Sequence, residues 1–487
     1  MTTCISVYFG SAIVALIVTP LVIRIAGRIG AVDRPGVRTI HERPVPRIGG
    51  VAIFIAAMSL IVAVLWVDNA IGDAFRAKRL QITTLLTSGT FIFLVGLVDD
   101  LKGLPARVKF GVEVLAAVAL CAAGIRIRSI GLTSDLSLPL GAAGYLLTVL
   151  WVVGVTNAVN LSDGLDGLAA GIGAIACGVI AVLAIHRDSA IMAILALALA
   201  GSLSGFLVFN FNPAKIFMGD CGSLFLGYVI AASSVMCLTT SSALVGLALP
   251  ALALGIPIFD TLFSMLRRFL ERRSLFAPDR SHFHHRLLDM GLRQRHAVIL
   301  IYLLTIVFTG LGLFVMVCRD LGALVVFGCI LFMLVLVFRV VGAVRLCETL
   351  TGLREKYALN QCYRQEREAF EYLELRFDQV RDEGQWWDAI CETARRMDFA
   401  WVCLKTTRPD GRIEQEIWRA PLPKPDMSRL VMVTIPLPSS NGDPQREFEI
   451  AIWANGSLEA ANRRASLFGR LMDEHGHRPT RMAGVGT

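Results

Sequence analysis

A short polar stretch between two apolar segments has the residue types that chemistry requires. It runs from Asn157 to Leu168, reads NAVNLSDGLDGL, and holds two asparagines and two Asp-Gly pairs without a lysine or arginine. An aspartate costs about 2.5–3.5 kcal/mol at the centre of a membrane helix, and far less at the water interface. These carboxylates are therefore expected at a membrane boundary, where they serve a function or bind a partner.

Two further acidic motifs end or begin apolar segments. Asp99 and Asp100 follow an apolar run in FLVGLVDDLKG, and Asp220 lies between glycines in FMGDCGSLFLG. Adjacent carboxylates suit Mg²⁺, which takes oxygen ligands and keeps some waters and substrate phosphates. A pair of aspartates alone is equally typical of a solvated helix end. Together with Asp163 and Asp166, these acids predict a site for a divalent metal and a phosphate.

A basic segment, 278–291, contains three histidines within four positions: His282, His284 and His285. Arg280 and Arg286 lie beside them, so the segment suits an anionic substrate, because arginine binds carboxylate and phosphate oxygens in pairs. A zinc site would need carboxylate or cysteine ligands beside these histidines, so an anionic substrate is preferred over zinc. A solvated basic loop is the simpler alternative.

Composition places these motifs in a membrane protein. The 487 residues are 55% hydrophobic and 18% charged, with a mean hydropathy of +0.62, which is too apolar for a soluble enzyme of this size. The 11 cysteines include no CxxC pair, so neither a disulfide framework nor a zinc framework is expected. Apolar windows of about 17–22 residues predict eleven spans, near 4–23, 48–66, 82–98, 108–124, 140–156, 166–185, 189–208, 222–238, 242–263, 297–317 and 321–341.

Lysines and arginines orient the predicted bundle. Of those in the predicted loops, 18 lie on one side, chiefly in 24–47 and 267–295, and seven lie on the other, so the richer side is expected to be cytoplasmic. The N-terminus lacks a cleavage site and is expected to form the first span. With eleven spans, the N-terminus is then expected outside and the tail inside. All the acidic and histidine motifs fall on the cytoplasmic side. This one-sided cluster argues against a channel and for an interfacial active site.

The chain is predicted to divide into residues 1–345, 346–383 and 384–487. The first part is an all-α polytopic membrane domain. The second is a linker helix, with Leu346, Leu350, Leu353 and Tyr357 at helical intervals, which offers a contact for a homodimer. The third alternates short strands and turns between two helices and is expected to be a soluble α+β domain with an antiparallel sheet, similar to GAF- or PAS-like regulatory modules.

The set of motifs resembles the polyprenyl-phosphate N-acetylhexosamine-1-phosphate transferase family, in particular the undecaprenyl-phosphate GlcNAc-1-phosphate transferases. These integral membrane enzymes start the assembly of bacterial cell-surface polysaccharides. The matching motifs, in family order over residues 1 to about 345, are VDRPGVRTIHERPVPRIGG, GLVDD, NAVNLSDGLDGLAAG, NPAKIFMGDCGSLFLGY, GIPIFDTLFSMLRR and PDRSHFHHRL. One departure is Gly103, where many relatives carry a third acid. The tail lies outside the common core of the family.

The resemblance implies transfer of a sugar-1-phosphate from a UDP-sugar to a polyprenyl phosphate in the bilayer, with release of UMP and a requirement for Mg²⁺, Mn²⁺ being the alternative ion. It implies these catalytic residues and metal ligands: Asp220 as a metal ligand, Asp99 as base or nucleophile and second metal contact, and Asp100 beside it. It implies these substrate contacts: Asn157, Asn160, Asp163 and Asp166 to nucleotide and sugar, Phe217 stacked on uracil, Lys109 near the phosphates, and Arg280, His282, His284 and His285 around the diphosphate and sugar.

The sugar and the protein class have alternatives. The HxHH arrangement resembles the N-acetylglucosamine branch more than the muramoyl-pentapeptide branch, which carries three consecutive histidines, so UDP-GlcNAc is expected, with UDP-GalNAc or another UDP-N-acetylhexosamine as alternatives. One alternative class is a secondary transporter, which would show inverted halves and polar residues at mid-membrane. The other is a membrane-anchored sensor, in which the tail would be the functional part. The basic excess lies beside the spans, so no nucleic-acid partner is expected. A bacterial inner membrane is the expected location.

Overall fold

The computed structural model describes all residues of the chain except 1, 34–43, 67–69, 132–136, 239–249, 271–281, 318–320, 342–360, 362–363, 409–410, 422–429, 438–443, 455–456 and 477–487. The chain forms two compact units, Met1–Thr349 and Leu350–Thr487. Two predicted features lie outside the described residues: Arg280, and the four apolar positions of the linker between Leu346 and Tyr357.

The first unit is helical, because a chain in lipid must satisfy its backbone hydrogen bonds internally. Its helices are α1 (Thr2–Ile29), α2 (Gly50–Leu65), α3 (Ala70–Ala77), α4 (Arg79–Lys102), α5 (Ala106–Ala122), α6 (Ala143–Ser162), α7 (Leu168–His186), α8 (Ala190–Asn210), α9 (Gly219–Leu238), α10 (Gly255–Leu270), α11 (Phe283–Asp289), α12 (Gln294–Val317) and α13 (Leu321–Val340). Two antiparallel ribbons join helices: β1 (Val32–Asp33) with β2 (Val45–Pro46), and β3 (Ser129–Gly131) with β4 (Ser137–Pro139).

Seven helices among the described residues are long and apolar enough to cross a membrane: α1, α4, α6, α7, α8, α9 and α12. The prediction of a multi-pass helical membrane protein is therefore confirmed. The count of eleven spans is not. Helices α2 and α5 have 16 and 17 residues, short of the roughly 20 that a perpendicular span needs, and the predicted span 242–263 begins outside the described residues.

Helix α9 lies at the centre of this unit. Of its most apolar stretch, 89% is buried inside the protein, compared with 28% for α1. It packs against α2, α4, α6 and α7. A helix that is apolar on all sides and enclosed by others is a core helix. Residues at the start of α9 are therefore held by several neighbouring helices at once.

Gly96 allows α4 to cross the first turn of α9 at close range. A Cβ at position 96 would lie 2.6 Å from the carbonyl oxygen of Asp220 and 2.6 Å from Cys221 Cα. We expect Gly96→Ala to destabilise the protein by about 1–3 kcal/mol, the usual cost of overpacking. Thermal unfolding in detergent would measure the change.

The matched control is Gly111→Ala on α5, where an added Cβ meets no atom within 4 Å. Alanine in an open helical position stabilises by about 0.5–1 kcal/mol, so the two variants should shift the melting temperature in opposite directions. Equal shifts would contradict the close α4–α9 crossing.

The second unit contains a four-stranded antiparallel sheet in the order β6-β5-β8-β7. Its elements are α14 (Glu383–Arg396), β5 (Phe399–Thr407), β6 (Ile413–Arg419), β7 (Leu430–Pro436), β8 (Gln445–Trp453) and α15 (Leu458–His475). The core between sheet and helices is built on the buried side chains of Trp386, Phe399, Phe448 and Phe468. A sheet in the tail is therefore confirmed, whereas its likeness to GAF or PAS modules stays a prediction.

Helical residues 364–378 belong to this second core. Phe370, Leu373 and Phe377 are buried in it together with the side chains of α14 and α15. Their spacing of three, four and seven positions places them on one face of a helix. This described part of the predicted linker therefore packs on the sheet domain, and the homodimer contact stays a prediction.

Candidate active site

Asp100 fixes the start of α9. Its Oδ1 accepts from the backbone N–H of Asp220, and its Oδ2 accepts from the backbone N–H of Cys221, both at 2.9 Å. The first N–H groups of a helix have no partner within the helix and favour negative charge. The Asp100 side chain is buried, with 6% exposure. Its carboxylate is thus engaged with backbone, which gives Asp100 a positioning contact beside the site.

Lys109 joins two carboxylates that are distant in sequence. Its Nζ donates to Asp99 Oδ2 at 2.8 Å and to Asp220 Oδ2 at 2.6 Å. Asp99 also accepts from the backbone N–H of Leu104. The three charged side chains are 13–28% exposed, so they remain within reach of a ligand. We call Asp99, Lys109 and Asp220 the acid–lysine cluster.

Two asparagines of α6 extend this cluster. Asn160 Nδ2 donates to Asp220 Oδ1 at 3.1 Å and to Ser223 Oγ at 2.8 Å. One turn earlier, Asn157 Nδ2 donates to a carboxylate oxygen of Glu113. Glu113 was missing from the predicted site. The signal for it was a charged residue within an apolar segment, which marks a functional or paired position.

Asp166 anchors the neighbouring loop. Its Oδ2 accepts from Asn212 Nδ2 at 2.8 Å and from the backbone N–H of Ala214 at 3.0 Å. The same loop continues to Phe217, whose carbonyl accepts from the backbone N–H of Gly49 at 2.9 Å. The Phe217 side chain is half-buried. Asp166 therefore holds the loop that carries Phe217.

Asp163 follows the last turn of α6 and adds a further carboxyl group to the same region. Burial, and then the nearby charges of Asp220, Asp100 and Asp166, raise the pKa of the Asp163 carboxyl well above its usual range. Like charges disfavour each other's ionised form. Such a concentration of carboxylates favours the binding of a cation.

Asp260 organises the histidine segment. Its Oδ2 lies 3.0 Å from His282 Nδ1, and its Oδ1 accepts from the backbone N–H of Phe283 at 2.8 Å. A carboxylate on one ring nitrogen orients a histidine and leaves Nε2 for other contacts. His284 stacks on His282 with ring centroids 5.6 Å apart, and His285 lies against His284 at 4.5 Å. Asp260 stood in one of the sequence motifs but was missing from the predicted site residues.

The histidine segment meets the Asp-Gly turn through His284. A Cβ at Gly164 would lie 2.6 Å from His284 Nε2, so the ring packs directly on the turn. Burial, and then the neighbouring His285 and His282, lower the pKa of His284 to about 3. His284 is therefore a neutral imidazole at physiological pH.

The structure thus brings together most of the predicted site residues. The acid–lysine cluster contacts Asn160 directly, and Asn157 is linked to α5 through Glu113. His284 contacts the turn that holds Asp163 and Asp166. Asp100 faces the backbone of α9, and Phe217 lies in the loop held by Asp166.

The acid–lysine cluster fits Mg²⁺, which the resemblance implies. Asp99 and Asp220 each place a carboxylate oxygen within 2.8 Å of the Lys109 ammonium, so both reach a single cation. Within the described ranges, no three side chains of His, Cys, Asp or Glu form a metal-binding group. Mg²⁺ does not need one, because one or two carboxylates, waters and substrate phosphates complete its shell.

Fold and site define a multi-pass helical membrane protein with a carboxylate-rich site where its helix ends meet. The profile of glycosyl transferase family 4 matches residues 82–238, the part of the chain that contains the acid–lysine cluster. A probable undecaprenyl-phosphate N-acetylglucosaminyl 1-phosphate transferase of Bacillus subtilis is 43% identical over 302 residues, which cover 61% of this chain and 81% of that relative. The chain therefore belongs to this family.

Two further relatives are named for different sugars. A decaprenyl-phosphate N-acetylglucosaminephosphotransferase of Mycobacterium leprae is 35% identical, over 60% of this chain and 79% of the relative. A phospho-N-acetylmuramoyl-pentapeptide-transferase of Geobacillus kaustophilus is 31% identical, over 63% of this chain and 95% of the relative. Identity is higher to the two relatives named for N-acetylglucosamine.

Proposed function

We propose that the protein transfers N-acetylglucosamine 1-phosphate from UDP-GlcNAc to undecaprenyl phosphate, which yields lipid-linked GlcNAc diphosphate and UMP. The observation that carries this proposal is the acid–lysine cluster, in which Lys109 joins Asp99 and Asp220. The printed names of the Bacillus and Mycobacterium relatives support the donor sugar and the lipid acceptor.

In the proposed reaction, a phosphate oxygen of the lipid attacks the sugar-bearing phosphorus of UDP-GlcNAc. A new P–O bond forms, the bond from this phosphorus to the bridging oxygen breaks, and UMP leaves with that oxygen. Two anionic substrates repel each other, so catalysis requires positive charge at the site. Lys109 supplies one such charge beside Asp99 and Asp220. Attack through a phospho-aspartyl intermediate is the alternative route.

Mg²⁺, or Mn²⁺ in its place, would be held by Asp99 and Asp220 and would neutralise the charge of the diphosphate. Asn160 orients Asp220 through its amide. Asp100 holds the backbone of α9 so that the Asp220 carboxylate stays beside Lys109. The rings of His282 and His284 would bind the sugar or diphosphate as hydrogen-bonding groups.

We further propose that eleven spans place the site and the tail on the cytoplasmic face of a bacterial inner membrane. The excess of arginine in the connecting segments supports this orientation. A polyprenyl phosphate keeps its headgroup at the interface and its chain in lipid, so a site at helix ends suits it. The product would enter cell-surface polysaccharide synthesis, with the tail as a regulatory domain.

The direct test uses the purified full chain in detergent with undecaprenyl phosphate, Mg²⁺ and one UDP-sugar at a time. We expect UMP release with UDP-GlcNAc, and none after chelation of divalent ions. UDP-GalNAc and UDP-MurNAc-pentapeptide serve as competing donors. Absence of UMP with every UDP-N-acetylhexosamine would overturn the proposal, and a preference for another donor would change the assigned sugar.

Asp260→Asn should weaken the reaction through the histidine segment. The amide offers one acceptor oxygen where the carboxylate offers two, so His282 or the backbone N–H of Phe283 loses its partner. Removing a partner that orients a functional histidine typically costs about 10–100-fold in activity. We expect a loss of that size in kcat/KM for UDP-GlcNAc, measured by UMP release. Thr261→Ser on the same helix is the control, and a loss of similar size there would contradict the role of Asp260.

A further inference from the structure

Glu113 is a buried acid that the proposed reaction leaves without a role. It lies on α5 one helical turn after Lys109 and is 2% exposed. Positions i and i+4 of a helix face the same side, so α5 presents a cation and an anion toward the site. A buried polar group requires a partner that compensates its lost hydration. The partner of Glu113 is the amide of Asn157.

Both hydrogens of the Asn157 amide nitrogen are used within the protein. Nδ2 donates to the Glu113 carboxylate and to the carbonyl oxygen of Val153, the latter at 2.9 Å. An asparagine amide nitrogen carries two hydrogens and accepts none, so both of its partners here are acceptor oxygens. Glu113 therefore holds the nitrogen side of the amide toward itself. The half-buried Asn157 offers a ligand only its carbonyl oxygen.

Asn160 repeats this arrangement one turn along the same helix. Its Nδ2 donates to Asp220 Oδ1 and to Ser223 Oγ, so both of its hydrogens are also used. Residues three positions apart are neighbours on a helix surface. Helix α6 thus presents two carbonyl oxygens beside the acid–lysine cluster. An ionised phosphate has no hydrogen to donate, so it cannot bond to these two carbonyl oxygens. They suit the O–H and N–H groups of the nucleoside and the sugar.

Resting on the proposed function, we propose that Glu113 is a positioning residue for the donor substrate. It orients the Asn157 amide so that the carbonyl oxygen accepts a hydrogen bond from an O–H or N–H group of the nucleotide sugar. Lys109 meets the phosphates, whereas Asn157 recognises the nucleoside or the sugar. Polyprenyl phosphate has neither group outside its phosphate, so Asn157 discriminates for the donor alone.

The test compares Glu113→Met, Glu113→Gln, Asn157→Asp and the double variant Glu113→Gln with Asn157→Asp. Methionine removes the acceptor, and we expect KM for UDP-GlcNAc to rise about tenfold, the equivalent of one hydrogen bond. Glutamine keeps an acceptor oxygen and should restore KM to within about threefold of wild type. KM for undecaprenyl phosphate should stay the same in both variants.

The Asn157→Asp variant places two carboxylates against each other, so we expect a rise in KM of at least about tenfold. In the double variant, the glutamine amide at position 113 donates to the new carboxylate and an acceptor again faces the donor, so KM should recover. This recovery keeps the test decisive if Glu113→Met melts early in detergent.

Equal changes in KM for both substrates, or a loss of thermal stability without a change in KM for UDP-GlcNAc, would overturn the inference. So would a double variant no better than Asn157→Asp alone. If the wild type releases UMP and the variants give one of these contrary outcomes, the inference fails and the proposed function stands. An inactive wild type would overturn both.

Discussion

Asp220→Asn is expected to lower kcat for UMP release by about 10³-fold, because it removes a charge that contacts Lys109 and that would hold the proposed metal. Asparagine keeps the size of the side chain and an oxygen that can accept from Asn160. The contacts of Asp100 go to the backbone of residues 220 and 221, so the start of α9 is retained. The loss should therefore be chemical, with little change in the melting temperature. UMP release across a Mg²⁺ titration, together with thermal unfolding, would measure both.

Asp73→Asn is the matched control, since that acid is 73% exposed and paired with Arg76 one turn away. It should leave kcat and the Mg²⁺ dependence unchanged. Asp220→Asn with kcat within about tenfold of wild type at ordinary Mg²⁺ would remove Asp220 from the proposed metal site, because losing a preorganised charge usually costs more.

Lys109→Met is expected to lower kcat by about 10²-fold, the typical cost of losing one charge-stabilising group. The variant should also depend more strongly on Mg²⁺ for its stability. Without the ammonium, Asp99 and Asp220 lose the charge that both contact. A bound divalent ion can supply it, and a ligand that binds only the folded state raises stability with its concentration. Melting temperatures with Mg²⁺ and with a chelator would show a larger difference in the variant than in wild type.

Lys102→Met removes the same charge from the exposed end of α4, three residues after Asp99. Its melting temperature should respond to Mg²⁺ as that of wild type does. If Lys109→Met responded no more than Lys102→Met, the acid–lysine cluster would not be the place where the cation binds.

The sequence predicted the site better than it predicted the contacts within the site. Asp99 and Asp220 were identifiable because carboxylates that border long apolar runs are rare and therefore informative, and the family resemblance added Lys109. Asp100 was grouped with them, since adjacent residues in a motif look equivalent. In the structure, its carboxylate accepts from two backbone N–H groups of α9. Backbone donors have no sequence signature.

Glu113 and Asp260 were missed for a related reason. Each is a single acid within an apolar helix, and hydropathy averages such a residue into its window. Their partners, Asn157 and His282, are 44 and 22 positions away in the chain. Only the packing of α5 on α6, and of α10 beside the histidine segment, identifies these pairs.

The sequence by itself determined that this is a multi-pass membrane protein with a sheet in its tail, and which residue types could bind a metal and a phosphate. Long apolar runs and alternating patterns report the surroundings of each residue, and that suffices for such conclusions. The tertiary structure alone decided which helices are long enough to span a membrane. It also decided that Asp100 binds the backbone of α9, whereas Asp99 and Asp220 both bind Lys109. Those outcomes depend on helix crossings such as Gly96 against α9, because partners are set by distances between segments far apart in the chain.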